Sequence, residues 1–365
     1  MSLAAIKGVE TIISARTWLV VAFLQMISGA LYFVHATATY AYTSELTDNH
    51  KEQTKYNVYY FVVLYVSTLV FLAEVLIIAF ALHTDNVGTA RISQIITCLT
   101  SSTCFAFSWR WLFRERPALS AVPEGSTLLV TGFQKIASSS AMIQDEFPGL
   151  KWFMWAVIAS ESATAALITI ATTYMSHFLE MDSTEIGVVF LLVLAMGIPG
   201  SKLGELLGLR YNPLTSAKTC VLFFIVSTTA AAMILTGPDD KHLAPVFGAL
   251  WGLGLGWLHP MHSTIFITIS PRGQESELMA IFLFCGQVFS WLPPLFFTIL
   301  NEAGVRMSVG LASLNIFFMA GLMFLSLMGD YNVAREQARS MCAALEPGDE
   351  FSTDNCGDLS LPPMS

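Results

Sequence analysis

Apolar runs of membrane length recur along this chain, and they narrow its possible folds to one class. The clearest pair flanks the polar hinge SPRGQESE at residues 270–277, with GLGLGWLHPMHSTIFITI before it and LMAIFLFCGQVFSWLPPLFFTIL after it. About 20 apolar residues in a helix cross the hydrocarbon core of a bilayer. Inside lipid only helices and closed barrels satisfy every backbone polar group. Runs this long, without strict alternation, select helices. Nine can be marked, at roughly 17–36, 57–82, 92–112, 152–178, 184–206, 217–236, 244–268, 277–300 and 307–329; the third, with Ser, Thr and Arg110, is the most polar. Composition agrees: 54% of residues are hydrophobic and 12% charged, where a soluble domain carries about 25% charged residues. The expected class is an all-α membrane protein.

The basic residues orient the spans. Thirteen of the 18 Lys and Arg fall at the loops after spans one, three, five and seven or in the C-terminal stretch; the other five are Lys7, Arg16, Arg91, Lys241 and Arg306. The richer side is cytosolic, which predicts a cytosolic C-terminus and a non-cytosolic N-terminus. Residues 37–56 read as a polar loop. The longest connection, 113–151, contains STLLVTGFQKIA, whose Leu128, Leu129, Phe133 and Ile136 have helical spacing with Ser126 as a candidate cap. That pattern predicts an amphipathic helix along the membrane face. Four segments follow: a three-helix bundle at 1–112, the linker 113–151, a six-helix bundle at 152–329, and an acidic tail at 330–365 expected to be disordered. Six helices after a long cytosolic loop match one half of a major facilitator transporter, whose complete fold has two such halves. The first part would hold only three helices of an incomplete N-terminal half.

The block around the hinge carries a resemblance. Gly256 and Trp257, Pro271 to Glu277 with Ile281 and Phe282, and Ser290 to Pro294 are similar to the autophagy-related vacuolar effluxer family within the major facilitator superfamily. Residues 30–46, 107–125 and 150–174 resemble its fourth, sixth and seventh helices more weakly. The seventh keeps the family's acid as Glu161, but Ser162 stands where a Gly is usual. The resemblance implies a secondary transporter that exports amino acids from a vacuole or lysosome-like lumen to the cytosol by alternating access, in connection with autophagy. Its first three helices are expected to be missing. The alternatives are a non-transporting remnant or membrane scaffold, and a porter for another small solute.

Several residues are costly in lipid and so become site candidates. Glu161 lies about nine residues into its span, and Thr164, Thr169 and Thr172 follow on the same face. This face suits a substrate amine or a proton, or a structural pair with a neighbouring helix. Glu74 and His35 sit nearer span ends. His259 and His262 are one turn apart; no acid or Cys supports them within their span, which points to cavity lining or packing rather than a metal. Gln287 and Ser290 share a face three residues apart. Gly252 and Gly256 form a small-xxx-small pair suited to close helix packing. In the hinge, Arg272, Glu275 and Glu277 are latch candidates, while Pro293 and Pro294 are expected to kink the following helix. The segment 200–218, GSKLGELLGLRYNPLTSAK, reads as a charged loop that latches the cytosolic ends. Six cysteines show neither CxxC pairs nor metal spacing. No nucleophile motif, phosphate loop or metal cluster argues for an enzyme, and no cofactor is expected. The expected partners are a small molecule and the bilayer, with no role for nucleic acid.

Overall fold

The computed structural model describes residues 18–44, 50–84, 86–112, 127–271 and 275–344, and every regular element among them is a helix. Three long helices come first: α1 (Trp18–Ser44), α2 (His50–Ala81) and α3 (Asn86–Phe107). The linker holds α4 (Leu128–Glu146). The remainder comprises α5 (Pro148–His177), α6 (Ser183–Arg210), α7 (Pro213–Ile234), α8 (Ala244–Ile269), α9 (Glu275–Gln287), α10 (Leu292–Glu302), α11 (Met307–Ala312), α12 (Leu314–Leu327) and α13 (Tyr331–Ala344). Among the described residues, seven helical segments are both long and apolar enough to cross a membrane. The other two of the nine expected spans, α3 and α8, have membrane length at 22 and 26 residues but are not among those seven.

Small residues decide the packing. The closest helix pair is α6 with α8. A Cβ at Gly252 would lie 2.2 Å from the Val193 carbonyl oxygen, and one at Gly256 would lie 2.0 Å from that of Gly197. From the other helix, a Cβ at Gly200 would meet the Leu253 carbonyl oxygen at 2.2 Å. Neither backbone can retreat, so glycine is required where the two helices touch. Trp257 then seals one side, donating from Nε1 to Ser216 Oγ at 2.8 Å. α5 packs on α12, and α2 runs along α6 and α8.

Four expectations change. The loop expected at 37–56 is mostly helix, because α1 continues to Ser44 and α2 begins at His50. The segment expected as a loop from 200 is helical to Arg210, since Gly200 and Gly204 lie on α8 rather than in solvent; only Tyr211 and Asn212 turn the chain before Pro213. Thr127, not Ser126, caps α4, accepting from the Val130 N–H at 3.4 Å. Residues 331–344 of the expected disordered tail form α13, whose Tyr331 and Ala334 are buried and whose Tyr331 hydroxyl bonds Thr268 Oγ1 at 2.7 Å. Residues 345–365 lie outside the described residues. The span expected at 277–300 stands as Glu277–Glu302, with a turn at residues 288–291 between α9 and α10. Pro293 and Pro294 open α10 as first-turn residues, where a proline's missing N–H costs nothing.

Candidate functional site

Glu161 sits midway along α5, where alanine, serine and threonine allow close approach of neighbours. Its side chain is 15% exposed. Two imidazoles from α8 meet its carboxylate. His262 Nδ1 lies 2.7 Å from Oε1, and His259 Nδ1 lies 3.2 Å from Oε2. The Thr164 hydroxyl approaches the Glu161 carbonyl at 3.0 Å and Oε2 at 3.3 Å. A third helix closes the site, since a Cβ at Gly286 of α9 would lie 3.9 Å from the Glu161 Cβ and Cγ.

The two histidines differ in access. His262 is fully buried, whereas 30% of the His259 side chain is exposed. The Nε2 of His262 is buried and has no hydrogen-bond partner among the described residues. With Nδ1–H donated to the carboxylate, that nitrogen is a bare acceptor. The Glu161 carboxylate thus faces both imidazoles, one on each oxygen. Phe153 meets the His262 ring edge-on at 6.0 Å, and Phe61 of α2 stacks on the His259 ring at 6.3 Å. Among the described residues no group of three or more His, Cys, Asp or Glu is arranged to hold a metal ion.

The sequence candidates separate into two sets. Glu161, Thr164, His259 and His262 come together, and Gln287 follows Gly286 at the end of α9, with an exposed side chain. Thr172 lies eleven residues further along α5, about 16 Å by helical rise, and bonds its own helix at the Ile168 carbonyl. Glu74 is exposed on α2. His35 contacts Phe105 of α3 at 5.1 Å. Of the latch candidates, Arg272 lies outside the described residues and Glu275 is the first residue of α9. Glu277 pairs with the linker helix, through Lys135 Nζ at 2.6 Å and Ser139 Oγ at 3.1 Å.

Sequence reasoning passed over the face of α2 that meets the site. Gln53, Asn57, Phe61 and Tyr65 recur every four residues, and the first three are buried. Asn57 donates to the Pro260 carbonyl at 2.7 Å and to Thr264 Oγ1 at 2.9 Å, and accepts from Ser263 Oγ at 3.0 Å. The polar–aromatic spacing was the available signal.

With this geometry in place, comparison with known proteins is decisive. Residues 15–339 match the family described as "Vacuole effluxer Atg22 like". The chain belongs to that family. Among solved structures it is similar to the fucose:proton symporter of E. coli, at 14% identity and a TM-score of 0.61, covering 90% of this chain and 81% of that one. The same transporter in its outward conformation gives 13% identity and a TM-score of 0.55, over 90% and 80% of the two chains. A bacterial homologue of the iron transporter ferroportin, in an outward-facing state, gives 13% and 0.52, over 88% and 74%. No curated protein matches the chain. The fold is that of major facilitator transporters, and the protein is a membrane transporter rather than an enzyme.

Proposed function

We propose that this protein moves amino acids from a vacuole or lysosome-like lumen into the cytosol by alternating access, in connection with autophagy. The C-terminus then faces the cytosol, as the distribution of Lys and Arg suggests. The observation that carries the reading is the contact of Glu161 with His259 and His262, made inside the membrane region and beside a helix from the other part of the bundle. A buried carboxylate held by two imidazoles is expensive to build for packing alone. It can hold a proton, or give it up to receive the ammonium of a zwitterionic substrate. His259, the more exposed imidazole, is the first group such a substrate meets. Thr164 orients the carboxylate, and Gly286 of α9 forms the neighbouring wall. The family supports the vacuolar setting.

The test is counterflow of labelled amino acids in proteoliposomes across an imposed pH gradient. The expected result is saturable transport that Glu161→Gln reduces by more than about tenfold, while Glu161→Asp retains part of it. Unchanged transport and pH dependence in Glu161→Gln would remove Glu161 from the mechanism. Failure to move any amino acid, with transport of another small solute, would reassign the substrate. A folded chain that moves nothing would instead support a scaffold.

A further inference from the structure

Residues 259–264, about one and two-thirds turns of α8, have two sides. One side presents His259 and His262 to Glu161 of α5. The other presents the Pro260 carbonyl, Ser263 and Thr264 to Asn57 of α2. Asn57 is 1% exposed, and these three bonds, all to one face of a single helix, use both ends of its amide. One turn along α2, Phe61 covers His259. One turn further, the Tyr65 ring would meet a Cβ at Gly197 within 2.6 Å. The stripe 57, 61 and 65 thus ties α2 to the helix pair that carries the histidines.

That turn is also where α8 is weakest. Pro260 stands within the helix and has no N–H, so the usual bond to the Gly256 carbonyl is missing. A helix lacking one rung bends there more readily than elsewhere. Asn57 lies seven residues into α2, about 10 Å from its start, and Thr264 lies five residues from the end of α8, about 8 Å. Both of these ends lie on the side richer in basic residues.

We infer that Asn57 is a gating residue: it pins α2 to the histidine-bearing turn of α8, so that the state of the Glu161 cluster decides whether the cytosolic side opens. This rests on the transport reading. When His259 and His262 hold Glu161, the turn presents its three partners to Asn57 in register and the pathway is shut. When a proton or substrate displaces the histidines, the turn shifts at Pro260. The three bonds break together because a buried amide left half-paired is costly. The release is therefore two-state rather than gradual.

Val58, next to Asn57, is fully buried and reports the opening. In the full chain reconstituted in sealed vesicles, Val58→Cys is exposed to a membrane-impermeant maleimide from the cytosolic side, and a chain with valine at 58 gives the background. Asn57→Ala should raise the labelling rate about tenfold, and Thr264→Val, which removes one acceptor, about threefold. Glu161→Gln should also raise it, and Asn57→Ala combined with Glu161→Gln should add less than the product of the two. A rate unchanged by Asn57→Ala overturns the pin. If Asn57→Ala fails to fold, an unchanged rate in Thr264→Val overturns it. Labelling needs no substrate, so the two readings fail separately. Responsive labelling without amino-acid movement keeps the gate and removes the transport assignment. Amino-acid transport with unresponsive labelling removes the gate alone.

Discussion

Helices α2 and α5 are similar in length, 32 and 30 residues, and both are apolar, yet they are packed very differently. Of the most apolar stretch of α5, 67% is buried inside the protein; of α2, only 11%. The order is the reverse of their hydropathy, since α2 has the more apolar stretch of the two. Hydropathy measures what lipid tolerates. Burial in a membrane protein is decided by which side chains let helices approach and which polar groups need partners. α5 offers Ala, Ser and Thr around Glu161, and neighbours close on it. α2 offers large aliphatic side chains on most faces and one stripe, from Gln53 to Tyr65, that docks.

The sharpest break of this contrast between packed and open helix faces is the same substitution at one position of each kind. Gly256→Ala in α8 should cost about 3 kcal/mol or more, because the added carbon meets the Gly197 backbone; thermal unfolding in detergent and the loss of a monodisperse peak report it. Gly29→Ala in α1, where nothing lies within 4 Å, should be neutral or stabilising by up to about 1 kcal/mol. Equal effects would erase the distinction between the regions.

Within the packed region the two histidines should differ. His262→Ala, at a fully buried position, should destabilise by about 2–4 kcal/mol because a buried carboxylate loses its shortest bond. His259→Ala, at a position 30% exposed, should cost less than half of that in the same melts. Between the regions, the Lys135–Glu277 contact joins the linker helix to α9 with side chains 46% and 25% exposed. A double-mutant cycle there should give a coupling of about 0.5 kcal/mol that disappears in high salt.

The smallest effect concerns Lys241, in the connection before α8. The Glu185 carboxylate, 2.8 Å away, holds its ammonium above the usual value of 10.5. A raised folded-state value means the contribution is fully present below 10.5 and is lost as pH rises through the folded value. Lys241→Met should therefore leave the melting temperature of the wild type and variant closer together at pH 11 than at pH 8.

What could be read from the sequence follows from these contrasts. Glu161, His259 and His262 each stood out because an ionisable group in lipid is costly wherever it points. Gly252 and Gly256 announced close packing by their four-residue spacing. Their mutual arrangement could not be read. The support His259 and His262 lacked within their own span comes from α5, about a hundred positions away. Asn57 looked like the polar start of a span, because its partners lie more than 200 residues along the chain.

By itself, then, the sequence determined a helical membrane protein and the expected sidedness of its loops, since apolar run length and the distribution of Lys and Arg act locally and need no partner; the major facilitator type came from its resemblance to a known family. Only the tertiary structure decided that the block around 259–264 serves two neighbours at once. Side-chain pairing across helices depends on which faces meet, and here α2 and α5 meet adjacent faces of the same stretch of α8, which packs through its glycines against α6.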